Sequence, residues 1–346
     1  MKALLKKEMG FGHMELDELP IPEPVNNQVQ IRVVYSGICG TDIHTYKGEY
    51  AATKTPVVLG HEFSGIVSAI GPKVTSIKVG DRVTSETTFE TCGMCPACLN
   101  QEYNLCSHRK GLGTQVDGAM AEYVVNREES VHVLPNNVPL LSAALTEPLA
   151  CGVHAVVEKA NVQPGSICVV FGAGTIGQVV AQMCKYCGST VIMAGLHQDV
   201  ERFAIAQSLG IDCCVDQQNE DLVQIVQQLS NGQGADYCFE CSGAAPALNT
   251  ALVVIRRKGT VIQEGIFAKH HVETNLNLIM NKEIVLEGSR TQKPSSWITA
   301  LECLGSGAVN VNPLITAITP LTKWQDAFNN MAAGRGLKTV FSVGAE

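Results

Sequence analysis

Ser166-Ile167-Cys168-Val169-Val170-Phe171-Gly172-Ala173-Gly174-Thr175-Ile176-Gly177 runs a short apolar segment directly into the pattern G-x-G-x-x-G. An apolar run of this length, closed by a glycine turn, reads as a buried strand, and 178–187 after it reads as helical. In that setting Gly172 permits the tight turn, Gly174 lets the backbone approach a pyrophosphate, and Gly177 allows the helix to pack against the strand. The phosphates are expected at the helix N-terminus. The stretch therefore predicts a dinucleotide site whose first contacts are Gly172, Gly174, Thr175, Ile176 and Gly177.

Downstream, strand candidates at 190–194, 237–240, 260–263 and 283–287 alternate with helical stretches at 201–209, 222–228 and 246–254. This βαβ rhythm belongs to a doubly wound parallel sheet, an α/β fold of the Rossmann kind. Upstream the text differs: short β-like segments at 29–35, 62–70, 82–84 and 121–125 are separated by Gly, Pro and Asn, as in a mostly β domain. The segment after Gly288 is too short for a third domain. The expected organisation is a β-rich domain from 1–150 and 289–346, and a dinucleotide domain over 151–288.

The second strand of a dinucleotide fold usually ends in an acid that accepts the adenosine ribose hydroxyls of NAD. Here the sequence is Ala194-Gly195-Leu196-His197-Gln198. Losing that carboxylate removes repulsion against a 2′-phosphate, while His197 and Arg202 lie near enough in sequence to supply positive charge. NADP use, alone or alongside NAD, follows as one reading; in the other Gly195 is neutral, Arg202 is a solvated helix residue and NAD binds through its remaining contacts. Gly265 and Ser289, just past the later strands, complete the expected cofactor contacts.

Composition limits the function classes. The 346 residues carry a net charge of −8 without a run of Lys or Arg, which argues against a nucleic-acid partner. The N-terminus MKALLKKEMG lacks the apolar core of a secretory signal, and no apolar run approaches the roughly 18 residues of a membrane span. A cytoplasmic protein is expected, and its 14 cysteines read as reduced core thiols and metal ligands.

Cys92, Cys95, Cys98 and Cys106 fall at C-x2-C-x2-C-x7-C within a lobe at about 90–110. Four thiolates packed this closely suit one tetrahedral zinc, closed by protein ligands and so structural. Paired disulfides are disfavoured in a reducing compartment, and the spacing differs from common ferredoxin patterns. A second constellation comes from Gly37-Ile38-Cys39-Gly40-Thr41-Asp42-Ile43-His44, Gly60-His61-Glu62 and Leu145-Thr146-Glu147-Pro148. A catalytic zinc needs about three protein ligands plus an open position, which Cys39, His61 and one or both of Glu62 and Glu147 would supply. The mixed shell also suits another divalent ion such as manganese.

With these motifs in this order, the chain resembles the zinc-dependent medium-chain dehydrogenases over nearly its full length. The matching text is GICGTDIH, GHEFSGIV, GDRV, the four-cysteine lobe, DGAMAEY, TEPLACGVHA and VFGAGTIG. Within that family it looks most like the sorbitol-type polyol dehydrogenases, the bacterial polyol-phosphate dehydrogenases and the threonine dehydrogenases. The resemblance implies a GroES-like catalytic domain, a Rossmann domain, an active site in the cleft between them, two zinc ions per chain, and a homodimer or homotetramer. It also implies that Glu62 and Glu147 exchange with water at the metal.

The implied reaction is oxidation of a secondary hydroxyl of a polyol, or of a polyol phosphate of the arabitol or galactitol type, to the ketose, with hydride passing to NADP or NAD. Zinc would acidify the hydroxyl, Thr41 would take its proton and His44 would pass it to water. Arg290 matches a substrate-binding arginine of the sorbitol-type enzymes. The threonine-dehydrogenase alternative is weakened because Glu86-Thr87-Thr88-Phe89 lacks a histidine those enzymes carry ahead of the lobe. A reading of another class, a non-catalytic NADPH-binding redox sensor, rests on the cysteines beyond the metal sites and would require exposed, low-pKa thiols.

Overall fold

The computed structural model describes residues 1–269 and 271–344. They form two compact units. The first comprises Met1–Glu147, Gln292–Gly307 and Val311–Glu346, and the second Pro148–Thr291 with Ala308–Asn310. The chain changes over at Glu147/Pro148 and Thr291/Gln292, three residues from the expected positions 150/151 and 288/289.

In the first unit a seven-stranded sheet runs Val131–Val133, Arg82–Ser85, Glu62–Ile70, Gln28–Gly37, Lys338–Ser342, Ile315–Pro320, with Tyr123–Arg127 also paired to Gln28–Gly37. Its pairings are antiparallel except between the last two strands of that path. Alternating residues of Gln28–Gly37 and Glu62–Ile70 build the interior: Val29, Ile31, Val33, Phe63 and Val67 are all buried with Val83 and Val124. A strand expected at 121–125 begins instead at Tyr123, because Ala121 pairs in isolation with Ala3. The register that matters most sets Gly37 between Glu62 on one neighbouring strand and Val340 on the other.

The second unit holds six parallel strands in the order Cys213–Asp216, Thr190–Gly195, Ile167–Phe171, Ala235–Glu240, Ile255–Gln263, Val285–Gly288. The order reverses direction beside Ile167–Phe171, the first of these six strands in chain order, which is the topological switch point where doubly wound sheets bind ligands at the strands' carboxyl ends. Val169, Phe171, Ile192, Val215, Val226, Leu252 and Val261 share one buried cluster. The helix after the glycine turn spans Thr175–Tyr186 and so starts earlier than 178, since Gly174 is already its extended N-cap. The edge strand Cys213–Asp216 was not expected from the sequence; its apolar run is too short to signal a strand, and pairing with Thr190–Gly195 supplies the order.

Candidate active site

The helix Gly40–Lys47 positions the first candidate ligand. Cys39 is its extended N-cap, and the buried Asp42, at N3, accepts the Cys39 backbone N–H at 2.9 Å. The thiol thus sits at the N-terminus of this helix. Thr41 and His44 lie three apart on this helix and therefore share a face. His44 Nδ1 is 2.9 Å from Glu49 Oε2 on the partly exposed side, leaving Nε2 for other partners.

Cys39, His61 and Glu62 each present a ligand atom, and these atoms lie within 4.8 Å of one another. A thiolate, an imidazole and a carboxylate at that separation fit one ion held at about 2.0–2.3 Å from each. His61 Nδ1 is buried with no hydrogen-bond partner among the described residues, lying 3.9 Å from Asp42 Oδ1. Burial opposes a charge on His61, yet Cys39, Asp42 and Glu147 outweigh it and lift its pKa well above the usual value. The pocket is therefore built to receive positive charge, which a cation would supply.

Glu147, second residue of the helix Thr146–Val153, is buried beside this group; burial, reinforced by the charge on Glu62, pushes its carboxyl up to about 7. It stands outside the tight three-residue set. Three further residues from outside those motifs act on these carboxylates. Lys338 Nζ, itself buried, donates to both Glu62 oxygens at 2.7 and 2.8 Å and to the Ile38 carbonyl at 2.9 Å. Gln292 Nε2 donates to Glu147 Oε1 in a short, fully buried hydrogen bond. Arg109 donates to Thr87 Oγ1 at 2.7 Å and Thr88 Oγ1 at 3.0 Å, and its charge favours the ionised form of Glu147.

In the four-cysteine lobe all four sulfurs lie within 4.8 Å of one another, with Cys92 3.9 Å from Cys98 and 3.7 Å from Cys106. Sulfurs about 2.3 Å from a tetrahedral zinc are about 3.8 Å apart, so the cluster fits that ion. Backbone N–H groups of Met94 and Cys95 aimed at Cys92 pull its pKa down to about 6, toward the ligating thiolate. Elsewhere, burial raises the pKa of Cys184, Cys187, Cys213, Cys214, Cys238 and Cys241, and Cys168, lowered by its hydrogen bond with Cys184, is fully buried, whereas a redox sensor requires thiols that are both exposed and of low pKa.

The second unit carries the expected glycine turn. Gly172 has φ +99°, a backbone that L side chains rarely adopt. A side chain at Gly177 would run into the Gly172 carbonyl, whereas Gly174, at the helix N-cap, faces open space. Thr175 and Ile176 begin the helix. This cradle fits a pyrophosphate against helix N–H groups. Gly265 packs against the Glu240–Gly243 turn, and its N–H donates to the Glu240 carbonyl at 2.8 Å. Ser289 follows the last strand, its buried hydroxyl without a hydrogen-bond partner among the described residues. Gly195 ends the second strand. His197 Nδ1 is 3.0 Å from Asp216 Oδ2, and Arg202 pairs with Asp199 at 3.0 Å, so both candidate phosphate-binding cations are already matched by acids. Arg290 is exposed. No helix among the described residues is long and apolar enough to cross a membrane.

Comparison with known proteins identifies the family. Residues 25–136 match the alcohol dehydrogenase GroES-like domain, and residues 175–306 match the zinc-binding dehydrogenase domain. The chain belongs to the zinc-binding medium-chain dehydrogenase family. It is an NAD(P)-dependent alcohol dehydrogenase, and the relatives similar to it include polyol and polyol-phosphate enzymes. It is 45% identical to a D-arabitol-phosphate dehydrogenase of Enterococcus avium, over 100% of this chain and 98% of the relative. A sorbitol dehydrogenase of Halalkalibacterium halodurans is 46% identical over 99% of each. Among solved structures, a zinc-binding dehydrogenase from Sinorhizobium meliloti bound to NADP superposes with TM-score 0.91 at 30% identity, covering 99% of this chain and 98% of that one.

Proposed function

We propose that this enzyme oxidises a secondary hydroxyl of a polyol or polyol phosphate to the corresponding ketose, with arabitol phosphate and sorbitol as the reference substrates. Identity of 45–46% along the whole length of such enzymes carries this reading, and the mixed Cys/His/Glu pocket supports it. In it, 1–150 and 289–346 form the catalytic unit and 151–288 the dinucleotide unit.

Cys39, His61 and a glutamate, Glu62 or Glu147, would hold a divalent metal, zinc first, whose Lewis acidity lowers the pKa of the alcohol. The four lobe cysteines would hold a structural zinc. Thr41 accepts the hydroxyl proton and His44, one helical turn on, delivers it to water. The carbon gives up its hydrogen with both electrons as hydride, the chemistry that nicotinamide accepts. Gly172, Gly174, Thr175, Ile176 and Gly177 receive the pyrophosphate, with Gly265 and the Ser289 hydroxyl as further contacts. Arg290 offers a cation to substrate hydroxyls or a phosphate.

At the ribose, Gly195 presents no carboxylate, while Asp199 is turned to the Leu196 N–H at 3.0 Å and to Arg202, and Asp216 to His197 and Gln218. With the nearby acids so occupied, the site tolerates a 2′-phosphate, and NADP is accepted alongside NAD. An oligomer in the cytoplasm fits the edge strand Val285–Gly288, whose Val285 and Leu286 are 51% and 41% exposed and whose outer hydrogen-bonding edge is open to a second copy. Initial rates on paired free and phosphorylated pentitols and hexitols, each with NAD and NADP, test the assignment. Inactivity on every pair would overturn the polyol reading.

A further inference from the structure

Glu240 is the last residue of the strand Ala235–Glu240 and is fully buried, and the donors that reach its carboxylate are neutral. Oε1 accepts the Ser242 backbone N–H at 2.9 Å and the Ser242 hydroxyl in a short hydrogen bond. Oε2 accepts the Gly243 N–H at 3.0 Å and Gln263 Nε2 at 2.7 Å. Four donors occupy the four acceptor positions of a carboxylate. The Glu240 backbone carbonyl accepts the N–H groups of Glu264 and Gly265 at 3.0 and 2.8 Å. One residue therefore ties the turn at 241–244 to the turn at 264–266, and the strand register sets Phe171, Glu240 and Gln263 side by side. The packing is close: a Cβ at Gly265 would run into the Gly243 nitrogen and the Glu240 carboxylate. A Cβ at Gly172 would meet the Ser242 side chain at 3.0 Å, and the Cys241 N–H donates to the Phe171 carbonyl at 3.0 Å. The two turns thus abut the glycine turn itself.

A carboxylate is costly to bury, and neutral groups alone can close a turn. This one lies at the carboxyl ends of the strands beside the switch point, where doubly wound sheets bind ligands. In such folds the adenosine ribose is read at the end of the second strand, here Thr190–Gly195, on one side of Ile167–Phe171. A dinucleotide whose pyrophosphate rests on the glycine turn would lay its nicotinamide half on the other side, over Ala235–Glu240 and Ile255–Gln263. We infer that Glu240 is a positioning residue for that half, its carboxylate holding the turns at 241–244 and 264–266 in the one shape that receives the nicotinamide. This rests on the reading that the second unit binds a dinucleotide. In Glu240→Gln a single acceptor oxygen remains. Whichever way it turns, the new amide N–H groups face donors, either those of Ser242 or those of Gly243 and Gln263.

The test is equilibrium binding to the full-length enzyme. NADH is followed by its fluorescence, and 5′-AMP, the adenosine half, by displacement of NADH; NADPH and adenosine 2′,5′-bisphosphate replace them if the wild type binds NADPH more tightly. Failure of the wild type to bind either reduced dinucleotide removes the dinucleotide reading and this inference together. With wild-type binding present, Glu240→Gln is expected to weaken the dinucleotide about tenfold, within the range for buried donors left unpaired, while the adenosine ligand stays within about twofold. A role in stability alone does not produce that split. Equal weakening of both ligands, or of neither, would overturn the inference. Should Glu240→Gln not fold, Gln263→Met carries the same test, since it removes one donor from the carboxylate at nearly constant length. Its expected loss is about threefold for the dinucleotide and none for the adenosine ligand, the size of one hydrogen bond. Affinities that do not separate in that variant would overturn the inference as well.

Discussion

Gln292 and Glu147 lie 145 residues apart in sequence and meet in a fully buried hydrogen bond, amide nitrogen to carboxylate oxygen. The amide holds the carboxylate in one orientation without neutralising it. Glu147 therefore remains ionisable, with burial raising its pKa to about 7.

Gln292→Leu removes that donor and leaves a buried carboxylate oxygen unsatisfied, at a cost of about 1–3 kcal/mol. Thermal unfolding of metal-depleted protein should show the loss, and kcat/KM should fall about tenfold, the lower end of the range for removing the partner of a metal-site residue. Stability and kcat/KM both unchanged would show that the bond neither orients nor supports Glu147.

The pH dependence of metal-depleted protein has a definite sign. A carboxyl with a folded pKa of about 7 against an ordinary 4.5 binds more protons folded than unfolded across that window. Stability from this group is therefore lost as pH rises from about 4.5 to about 7. His61, raised well above its usual 6.5, acts in the same direction: its stabilisation is present below 6.5 and fades as pH climbs through the higher folded value. The melting temperature should fall across this range, and Glu147→Gln should flatten its lower part. An unaltered slope in that variant would assign the effect elsewhere.

In the lobe, the helix Pro96–Leu99 has 4 residues and the following 3₁₀ turn Tyr103–Leu105 has 3. Neither is long enough to persist without a cross-link. Cys98→Ser should lower metal content by one equivalent per chain and open 92–106 to proteolysis, while the Cys39 site keeps its metal. Retention of both equivalents would sink the structural assignment.

Much of this was legible in the sequence because its signals are local. The glycine turn, the buried strands at 167–171 and 190–195, and the four cysteines all declare themselves within about fifteen residues. Lys338 did not. In Lys338-Thr339-Val340-Phe341-Ser342 a lysine opening a strand reads as a surface charge, and only the pairing of that strand with Gln28–Gly37 carries it to Glu62. Gln292 is equally silent, an amide just past a strand whose partner lies in another part of the chain. His197 and Arg202 were legible as candidate phosphate ligands, but their pairing with Asp216 and Asp199 was not, since it depends on how the turn after the second strand folds back.

In the proposed reading that turn would decide cofactor choice. A Cβ at Gly195 would sit 2.9 Å from Asp199 Oδ2 and 2.9 Å from the Phe203 ring, so the position is closed by packing as well as lacking an acid. Placing the carboxylate of an NAD-selective enzyme there by Gly195→Asp brings two like charges together at a partly buried site. The single variant should lose NADP activity through repulsion of the 2′-phosphate, on the order of tenfold or more in kcat/KM, and gain little with NAD because the new side chain is displaced. Gly195→Asp with Asp199→Ser removes the second charge and keeps an acceptor for the Leu196 N–H, so NAD activity should recover while NADP stays weak. Arg202→Ala tests the cation independently, since release of its contact with Asp199 should lower kcat/KM for NADP more than for NAD. Equal effects on the two cofactors in both the double and the Arg202 variants would show that the ribose is read by other residues.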